Sequence, residues 1–390
     1  MKILGVIAEY DPFHRGHARH LRLAREAAAP DFTYVVLSGC FKQRGEPALL
    51  SPYERAACAL DAGADAVFAL PAVWTVRDAE HYALGAVSLL RDLGATHLAF
   101  GAETAELPAL RALAEKLEKP DPSLREGLKA RLAAGCGYPR ALSLAVAERD
   151  PALAPLLEAP NNTLAVCYLR ACLRLGTEME PVVIPRGGGY HAETIRPEEP
   201  SASALRGALL RGNYGPAMAA VTEESARLLR RAFLEGRIPD ARVLDALLIR
   251  TLRGMSREEL RQLPDLSEGL EDRLAEAAGR VRTRAELLDA VSTRRYPRAR
   301  ISRICACALL GLTRARTEQA ALPASAVLLG LRRDPAMTAL WKERRALITS
   351  RFGDETDLRA WRIWAQLSGL PDGCFRSCRM ATARARGEKD

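Results

Sequence analysis

Residues 3–17 read ILGVIAEYDPFHRGH, an apolar run followed by a polar turn that ends in a pair of histidines. The run Ile3–Ala8 is typical of a buried strand. From Gly16 to Ala29 the period and composition are helical, so the histidines lie where a strand ends and a helix begins. This order predicts the first strand-helix crossover unit of a parallel sheet.

The first half of the chain repeats this alternation of short apolar runs and helical patterns. Further strands are predicted at Thr33–Leu37, Ala66–Ala69, His97–Phe100 and Pro181–Ile184, and further helices at Pro52–Ala62 and Ala79–Leu93. We therefore expect an α/β fold with a Rossmann-like parallel sheet, which binds ligands beyond the carboxyl ends of its strands. The helical, Ala- and Leu-rich residues 106–157 are predicted to form an insertion or a long connection.

The second half shows helical patterns, and we predict no strand in it. The expected helices are Ser225–Glu235, Asp240–Arg253, Asp265–Arg282, Arg303–Leu312 and Pro335–Arg351. The sequence thus predicts two domains, an α/β domain at residues 1–214 and an all-α domain at residues 215–390.

The positive charge is concentrated in the second half. Residues 215–390 contain 33 Lys and Arg against 23 Asp and Glu, whereas residues 1–214 contain 24 against 25. This asymmetry favours a polyanion partner for the second half, and a solvated Arg-rich surface explains it equally well.

Cysteine usage indicates reduced thiols in a cytoplasmic protein, because the count of nine is odd and no signal-peptide pattern is present. Cys374 and Cys378 have the spacing of half a metal site. No second Cys or His pair with zinc spacing appears, so we predict no metal bound by the protein. No uninterrupted apolar stretch of about 18 residues occurs, so no membrane span is expected.

The paired histidines carry the strongest chemical signal. His14 and His17 face the same space at a helix start, where free N–H groups and the helix dipole favour an anion. Gly16 permits close approach of a phosphate, and imidazoles donate to phosphate oxygens as negative charge builds up. The motif predicts adenylyl transfer. His20, one turn further, either joins the site or packs against the sheet.

Other polar residues follow the predicted strands. Lys42 and Arg44 lie in the Gly-bounded loop 38–48, which either closes over a triphosphate, binds an acid substrate, or is an exposed basic turn. Gly101 allows a nucleotide to approach the backbone, and Arg186 suits bidentate phosphate binding. Further candidates are Asn161, Asn162, Ser203 and Arg206, although the asparagines and the serine are also typical helix N-caps.

Residues 293–303, TRRYPRARISR, are here called the arginine segment. Arginines bind phosphates and stack on bases, and tyrosine stacks as well. The segment favours RNA binding, with a structural ion-pair cluster as the alternative. Its candidate RNA contacts are Arg294, Arg295, Arg298, Arg300 and Arg303.

Glu9–His17 resembles the HIGH-type nucleotidyltransferase motif, and the longer pattern is similar to the bacterial tRNA(Met) cytidine acetate ligase family. That family's opening motif resembles E-Y-N-P-F-H-N-G-H, so Asp11 and Arg15 stand where Asn is usual. Later segments also resemble this family, in order along the chain: residues 38–48, 100–103, 160–164, 184–191, 201–206 and the arginine segment. The resemblance covers most of residues 1–210 and becomes sparser afterwards.

The resemblance implies an ATP-dependent ligase. Acetate and ATP, which is expected with Mg²⁺, give acetyl-adenylate, and the acetyl group passes to N4 of the wobble cytidine of elongator tRNA(Met). The implied catalytic residues are His14, His17, Lys42 and Arg44. The implied ATP-binding residues are Ile7, Ala8, Glu9, Tyr10, Asp11, Pro12, Phe13, His14, Gly16, His17, His20, Gly101, Asn161, Asn162, Arg186, Ser203 and Arg206.

The residues by themselves indicate only adenylyl transfer with a nucleic-acid partner. A metabolite nucleotidyltransferase, which moves AMP or CMP onto a small phosphorylated substrate, uses the same chemistry and is the main alternative. A non-catalytic RNA-binding protein is a third interpretation. Neither a membrane nor a stable protein partner is implied.

Overall fold

The computed structural model describes residues 1–186, 201–267, 269–342, 347–371 and 380–383. The strands of the first half are β1 (Ile3–Ala8), β2 (Phe32–Ser38), β3 (Ala66–Leu70), β4 (His97–Ala102) and β5 (Glu180–Pro185). The predicted strands are confirmed to within two residues at each end. They pair in parallel in the order β5-β4-β1-β2-β3.

Helices connect and cover these strands. They are α1 (Arg15–Ala28), α2 (Pro52–Asp61), α3 (Ala72–Thr75), α4 (Ala79–Asp92), α5 (Leu107–Glu118), α6 (Pro122–Ala133), α7 (Tyr138–Ala147) and α8 (Pro160–Leu175), with a 3₁₀ turn at Ala154–Leu157. The predicted helical insertion is therefore α5–α7. No helix in the described ranges is long and apolar enough to cross a membrane.

The sheet is buried on both faces, as its continuous apolar strands predict. Along β2, Val35 and Leu37 belong to the core on one face, which includes α1 and α2. Tyr34 and Val36 belong to the core on the other face, with α4 and α8. Burial on both faces fixes the strand ends that carry the polar residues described below.

The second half is mainly helical. Its helices are α9 (Ala202–Leu210), α10 (Tyr214–Ala220), α11 (Glu223–Leu234), α12 (Ala241–Gly254), α13 (Arg257–Arg261), α14 (Leu270–Arg280), α15 (Arg284–Val291), α16 (Arg298–Leu310), α17 (Arg314–Glu318), α18 (Pro335–Lys342) and α19 (Glu355–Leu367). Helix α16 begins five residues before its predicted start, so most of the arginine segment belongs to its first turns.

The prediction that residues 215–390 are all-α is wrong. Strands β6 (Ala326–Arg332), β7 (Ile348–Thr349) and β8 (Ala381–Ala383) join the sheet, and β6 pairs antiparallel with β3. Of the helix predicted at residues 335–351, Pro335–Lys342 is described as helical, and Ile348–Thr349 is a strand. Strand β6 is a Leu-rich run that is mostly buried and has one β-branched residue, so it shows neither the alternation nor the composition that marks a strand.

Candidate active site

The strand order reverses between β1 and β4, because β2 and β3 continue from β1 on one side while β4 and β5 lie on the other. Parallel α/β sheets bind ligands at such a switch point, beyond the carboxyl ends of the strands. Helix α1 begins there, directly after the turn that leaves β1. The sequence-predicted histidines are therefore at the expected edge of the sheet.

His14 and His17 are stacked in the first turn of α1. Their ring centroids are 3.6 Å apart and their planes differ by 18°. His14 is the N-cap, and its Nδ1 accepts a hydrogen bond from the His17 backbone N–H at 3.3 Å. His17 Nδ1 accepts from the His14 backbone N–H at the same distance. Since both Nδ1 atoms are acceptors, each neutral ring carries its proton on Nε2.

The Nε2 atoms of His14 and His20 are buried and have no hydrogen-bond partner within the described residues. Buried polar atoms are nearly always paired in folded proteins, so each exception calls for an explanation. A bound anion is a suitable partner for an Nε2–H donor at a helix start.

All three histidines of α1 are neutral at physiological pH. Burial, reinforced by the positive charge of Arg186, lowers the pKa of His14 to about 3. The same two causes lower the pKa of His20 to about 4, and burial with the neighbouring histidines and Arg186 places the pKa of His17 well below its usual range. Each ring therefore offers a neutral N–H donor and not a positive charge.

These low pKa values predict that acid destabilises the fold. Below pH ~6.5 the unfolded chain binds protons on histidines that the folded chain leaves neutral, so stability is full above that pH and is lost as pH falls. As pH falls below ~6.5, each of these histidines should lower the free energy of unfolding by about 1.4 kcal/mol per pH unit until its own folded-state pKa is reached. Urea unfolding at pH ~7.5 and ~5.5 measures the effect. Between these two pH values, the free energy of unfolding of the His20→Asn variant should fall by about 1.4 kcal/mol less than that of the wild type. Equal decreases for the two proteins would contradict the explanation.

Aromatic side chains enclose His17. Tyr10 and Phe13 form an edge-to-face pair with centroids 4.7 Å apart, and both lie against the His17 ring, at 4.9 and 5.6 Å. They are buried, as is Pro12, whereas Ile7 and Ala8 are half-buried at the end of β1. Tyr10 and Phe13 therefore fix the position of the His17 ring, and the ATP contact that the resemblance implies for them stays a prediction.

Arg186 lies across the end of β4. A Cβ on Gly101 would be 2.7 Å from Arg186 Cδ, so the glycine leaves room for the arginine stem. The Arg186 backbone N–H donates to Ala102 O at 2.9 Å, and its Nη1 donates to Asn161 Oδ1 at 2.8 Å. The space next to Gly101, where a nucleotide was expected, therefore contains the side chain of Arg186, a residue type that often binds phosphate.

The Gly101→Ala variant should displace Arg186 and break its hydrogen bond to Asn161. If Arg186 binds a phosphate of ATP, its displacement removes a charge-assisted hydrogen bond of about 1.5–3 kcal/mol, so we expect KM for ATP to rise about tenfold or more. Steady-state kinetics at varied ATP concentrations measures this. Gly254→Ala is the matched control, since a Cβ there meets no atom within 4 Å. Unchanged ATP binding by Gly101→Ala would contradict the role of Arg186.

The expectation that Asn161 or Asn162 caps α8 is wrong. The helix begins at Pro160, and the Glu103 carboxylate accepts from both asparagine N–H groups, at 3.3 Å and 2.9 Å. Asn162 is buried, and its Oδ1 accepts from the Thr104 N–H at 3.0 Å. Only Asn161 of the pair contacts Arg186. Similarly, α9 begins at Ala202, and Ser203 is exposed within its first turn.

A buried ion cluster lies beside the turn. Asp11 Oδ1 accepts from the Leu49 N–H at 2.7 Å, and its Oδ2 contacts Arg206 Nη1 at 2.6 Å and Lys42 Nζ at 3.5 Å. Lys42 also pairs with Glu46 at 2.7 Å. Burial raises the pKa of Asp11, but Arg206, Lys42 and Arg55 outweigh it and lower the pKa overall. The cluster brings together three residues predicted separately, namely Asp11, Lys42 and Arg206.

The loop 38–48 is docked on α16. The Ser302 hydroxyl donates to the Arg44 carbonyl, and a Cβ on Gly45 would lie 2.6 Å from the Ser302 carbonyl oxygen. Gly45 has a φ of 75°, which favours glycine. The side chain of Arg44 is exposed. Within this loop, the Gln43 N–H donates to Glu9 Oε1 at 2.7 Å, so the loop also contacts the histidine turn.

Sequence analysis missed Arg55. It lies on α2 with only 1% of its surface exposed. Its guanidinium donates to the carbonyls of Glu9 (2.6 Å), Leu50 (3.2 Å) and Gly39. Arg55 thus ties together the turns that leave β1 and β2. The sequence offers one clue to Arg55, because it is the single cation in the mostly apolar helix α2.

The arginine segment divides into two groups. Arg300 donates to the Asp265 carbonyl at 2.9 and 2.6 Å, and Arg303 pairs with the Asp265 carboxylate at 3.3 Å. Arg303 therefore forms a structural ion pair, as the alternative expects, whereas Arg300 is held by a backbone carbonyl. Arg294, Arg295 and Arg298 are exposed, and Arg298 pairs with Asp289 at the surface.

Metal ligands do not converge among the described residues, where no group of three or more His, Cys, Asp or Glu is placed to hold an ion. Cys374, Cys378 and the 189–191 segment lie outside the described residues. Asp11 and Glu46 are already bound to Arg206 and Lys42.

Comparison with known proteins gives consistent matches. The model of the HIGH nucleotidyl transferase family matches residues 1–356. The tRNA(Met) cytidine acetate ligase of Syntrophomonas wolfei is 37% identical over 326 residues, which cover 82% of this chain and 78% of that protein. The ligase of the same name from Syntrophotalea carbinolica is 40% identical over 313 residues, covering 78% and 73%.

A solved structure matches nearly the whole fold. The crystal structure of Thermotoga maritima TmcAL bound with alpha-thio ATP has a TM-score of 0.89 and 26% sequence identity, and the match covers 99% of this chain and 100% of that chain. The apo structure of the same protein has a TM-score of 0.90 with the same coverage.

Proposed function

The chain belongs to the HIGH nucleotidyl transferase family and groups with the tRNA(Met) cytidine acetate ligases, and from this premise we propose that the stacked histidines of α1 perform its adenylyl-transfer step. The protein is an enzyme of the ligase class that uses ATP and modifies tRNA. The observation that carries the assignment of the site is the buried His14 Nε2 at the strand switch point, which has no hydrogen-bond partner in the described part of the chain.

The proposed reaction has two steps. A carboxylate oxygen of acetate attacks the α-phosphorus of ATP, the bond to the β-phosphate breaks, and pyrophosphate leaves. The N4 amine of the wobble cytidine then attacks the acetyl carbon of acetyl-adenylate and loses a proton. AMP leaves, and the products are N4-acetylcytidine and AMP.

Protein residues contribute positioning and charge in the first step. His14 and His17 donate from Nε2 to the α-phosphate and the departing pyrophosphate, and Arg186 binds phosphate oxygens alongside Asn161. Because the rings are neutral and fixed by reciprocal hydrogen bonds, they need no reorganisation as charge develops. Lys42 and Arg206, held by Asp11 and Glu46, face the acetate or the terminal phosphates.

Mg²⁺ is proposed to arrive with the ATP phosphates. The described part of the chain contains no set of ligands that would hold the ion by itself. Magnesium commonly retains water molecules and binds substrate phosphates with few protein ligands, so the observed residues are compatible with it. The ion would neutralise charge on the phosphates.

The tRNA is proposed to bind the exposed part of the arginine segment. Arg294, Arg295 and Arg298 lie on the same stretch as Ser302, whose hydroxyl contacts the Arg44 carbonyl. This contact joins the cationic surface to the loop beside the histidine turn, so bound RNA lies close to the adenylate. The tRNA substrate and the seven free cysteines of the described residues suit a cytoplasmic location.

The relatives favour this ligase function over a metabolite nucleotidyltransferase. A direct test incubates the protein with ATP, acetate and an elongator tRNA(Met) transcript, with initiator tRNA(Met) as the control, and detects modified nucleosides by mass spectrometry. N4-acetylcytidine in the elongator tRNA alone is the expected result. Transfer of AMP to a phosphorylated metabolite, without acetylation of tRNA, would favour the alternative.

A further inference from the structure

The helical insertion contacts the arginine segment. A Cβ on Gly137, the residue before α7, would lie 2.5 Å from the Arg294 carbonyl oxygen and 4.0 Å from the Arg295 Cα. Only a glycine permits this approach of two backbones. The first turn of α7 is therefore held against the segment that carries the exposed arginines.

This first turn presents an aromatic and a cationic side chain to solvent. Tyr138 is 51% exposed, and Arg140 is also exposed. Next to them, the guanidiniums of Arg295 and Arg300 lie over the Tyr296 ring, at 5.6 and 5.3 Å from its centroid. Aromatic and cationic side chains thus continue from the arginine segment onto α7.

Carboxylates near Tyr138 are already paired. Glu80 is bound by Arg170 at 2.8 Å and by Arg174 at 2.7 Å, and Asp78 contacts His81 Nδ1 at 2.6 Å. Arg170 and Arg174, which also pair with Glu118, compensate the charge of Glu80, so this carboxylate does not oppose a polyanion on the surface beside it.

The surface is continuous with the reaction site. At one end of the arginine segment, Ser302 and Gly45 join it to the loop 38–48, and at the other end Arg294 meets Gly137. Single-stranded RNA is recognised by bases stacking on aromatic rings while cations bind its phosphates. An RNA that places one nucleotide at the reaction site would extend along this path toward α7.

We propose that Tyr138 stacks on an unpaired base of the RNA bound by the arginine segment and that Arg140 binds an adjacent phosphate. This inference rests on the proposed function in that the RNA is the substrate tRNA. It gives the helical insertion a role in substrate binding, with Gly137 as the residue that holds the insertion in register.

The test measures binding of fluorescently labelled elongator tRNA(Met) to the full-length protein over a range of salt concentrations. Tyr138→Ala should weaken binding about tenfold without changing the salt dependence, because stacking contributes about 1–3 kcal/mol and releases no counterion. Tyr138→Trp should keep wild-type affinity. Arg140→Ala should reduce the slope of log affinity against log salt by about 1. Leu144→Ala, an exposed position on the same helix, should change neither quantity.

A hairpin RNA with an unpaired loop and a fully paired duplex separate stacking from general charge attraction. Tyr138→Ala should weaken binding of the hairpin and leave binding of the duplex unchanged. Equal affinities of wild type and Tyr138→Ala for the hairpin, or an equal loss with both RNAs, would overturn the inference. If binding of tRNA depends on Tyr138 as expected but the wild-type protein does not acetylate the tRNA, the proposed reaction is wrong and the inference about RNA binding still holds.

Discussion

Replacing His14 with alanine is expected to slow acetate-dependent exchange of pyrophosphate into ATP by about 10²-fold or more. His14 provides a neutral Nε2–H donor that has no other partner among the described residues. It also caps α1 and fixes the ring of His17 through their reciprocal contacts. The substitution therefore removes the Nε2–H donor of His14 and leaves the ring of His17 less firmly positioned.

His14→Asn separates these two effects. Its side chain still caps a helix but does not reach as far as the imidazole Nε2. This variant should retain the unfolding midpoint and lose most of the exchange rate. His81→Ala removes a half-exposed histidine on α4 and should keep wild-type exchange. Exchange by His14→Ala within a few fold of wild type would eliminate the donor role.

Replacing Arg55 with methionine is expected to destabilise the protein by about 3–5 kcal/mol. The change leaves the buried carbonyls of Glu9, Gly39 and Leu50 without their donor, and unsatisfied buried groups each cost about 1–3 kcal/mol. It also removes a positive charge that helps to keep Asp11 ionised. Urea denaturation should show a lower midpoint with an unchanged slope.

The control for Arg55 is Arg227→Ala. Arg227 is an exposed arginine that pairs with Glu224 at 2.6 Å on the same helix, and such surface pairs contribute less than about 1 kcal/mol. If Arg55→Met unfolds at the same urea concentration as Arg227→Ala, the hydrogen bonds from Arg55 to the three carbonyls do not contribute the stability that we assign to them. If it folds, its remaining exchange activity reports how far the strand-end turns rely on Arg55.

Local sequence patterns were sufficient where structure depends on neighbours along the chain. The strand at Ile3–Ala8 and the helix after it were predicted because apolar continuity and helical period are local signals. The histidine pair was predicted for the same reason, since residues 14 and 17 share one helical turn. Strand β6 was missed, because its pairing with β3 involves residues about 260 positions away and its composition resembles a helix.

Contacts between distant segments were out of reach of such patterns. Arg206 and Asp11 form an ion pair although they are 195 residues apart in the sequence, and no local sequence pattern predicts such a contact. Asn161 and Asn162 have the composition of helix caps, yet Glu103, from the loop after β4, performs that role. Tertiary contacts here override a preference that the sequence expresses correctly for an isolated helix.

The central claim is that the site at the start of α1 activates acetate with ATP. The most direct test is exchange of radiolabelled pyrophosphate into ATP with acetate or longer carboxylic acids, each with and without elongator tRNA(Met). We predict exchange that depends on the acid, is fastest with acetate and is strongly reduced in His14→Ala. No exchange with any acid, in reactions with and without tRNA and under conditions where ATP still binds, would contradict the claim.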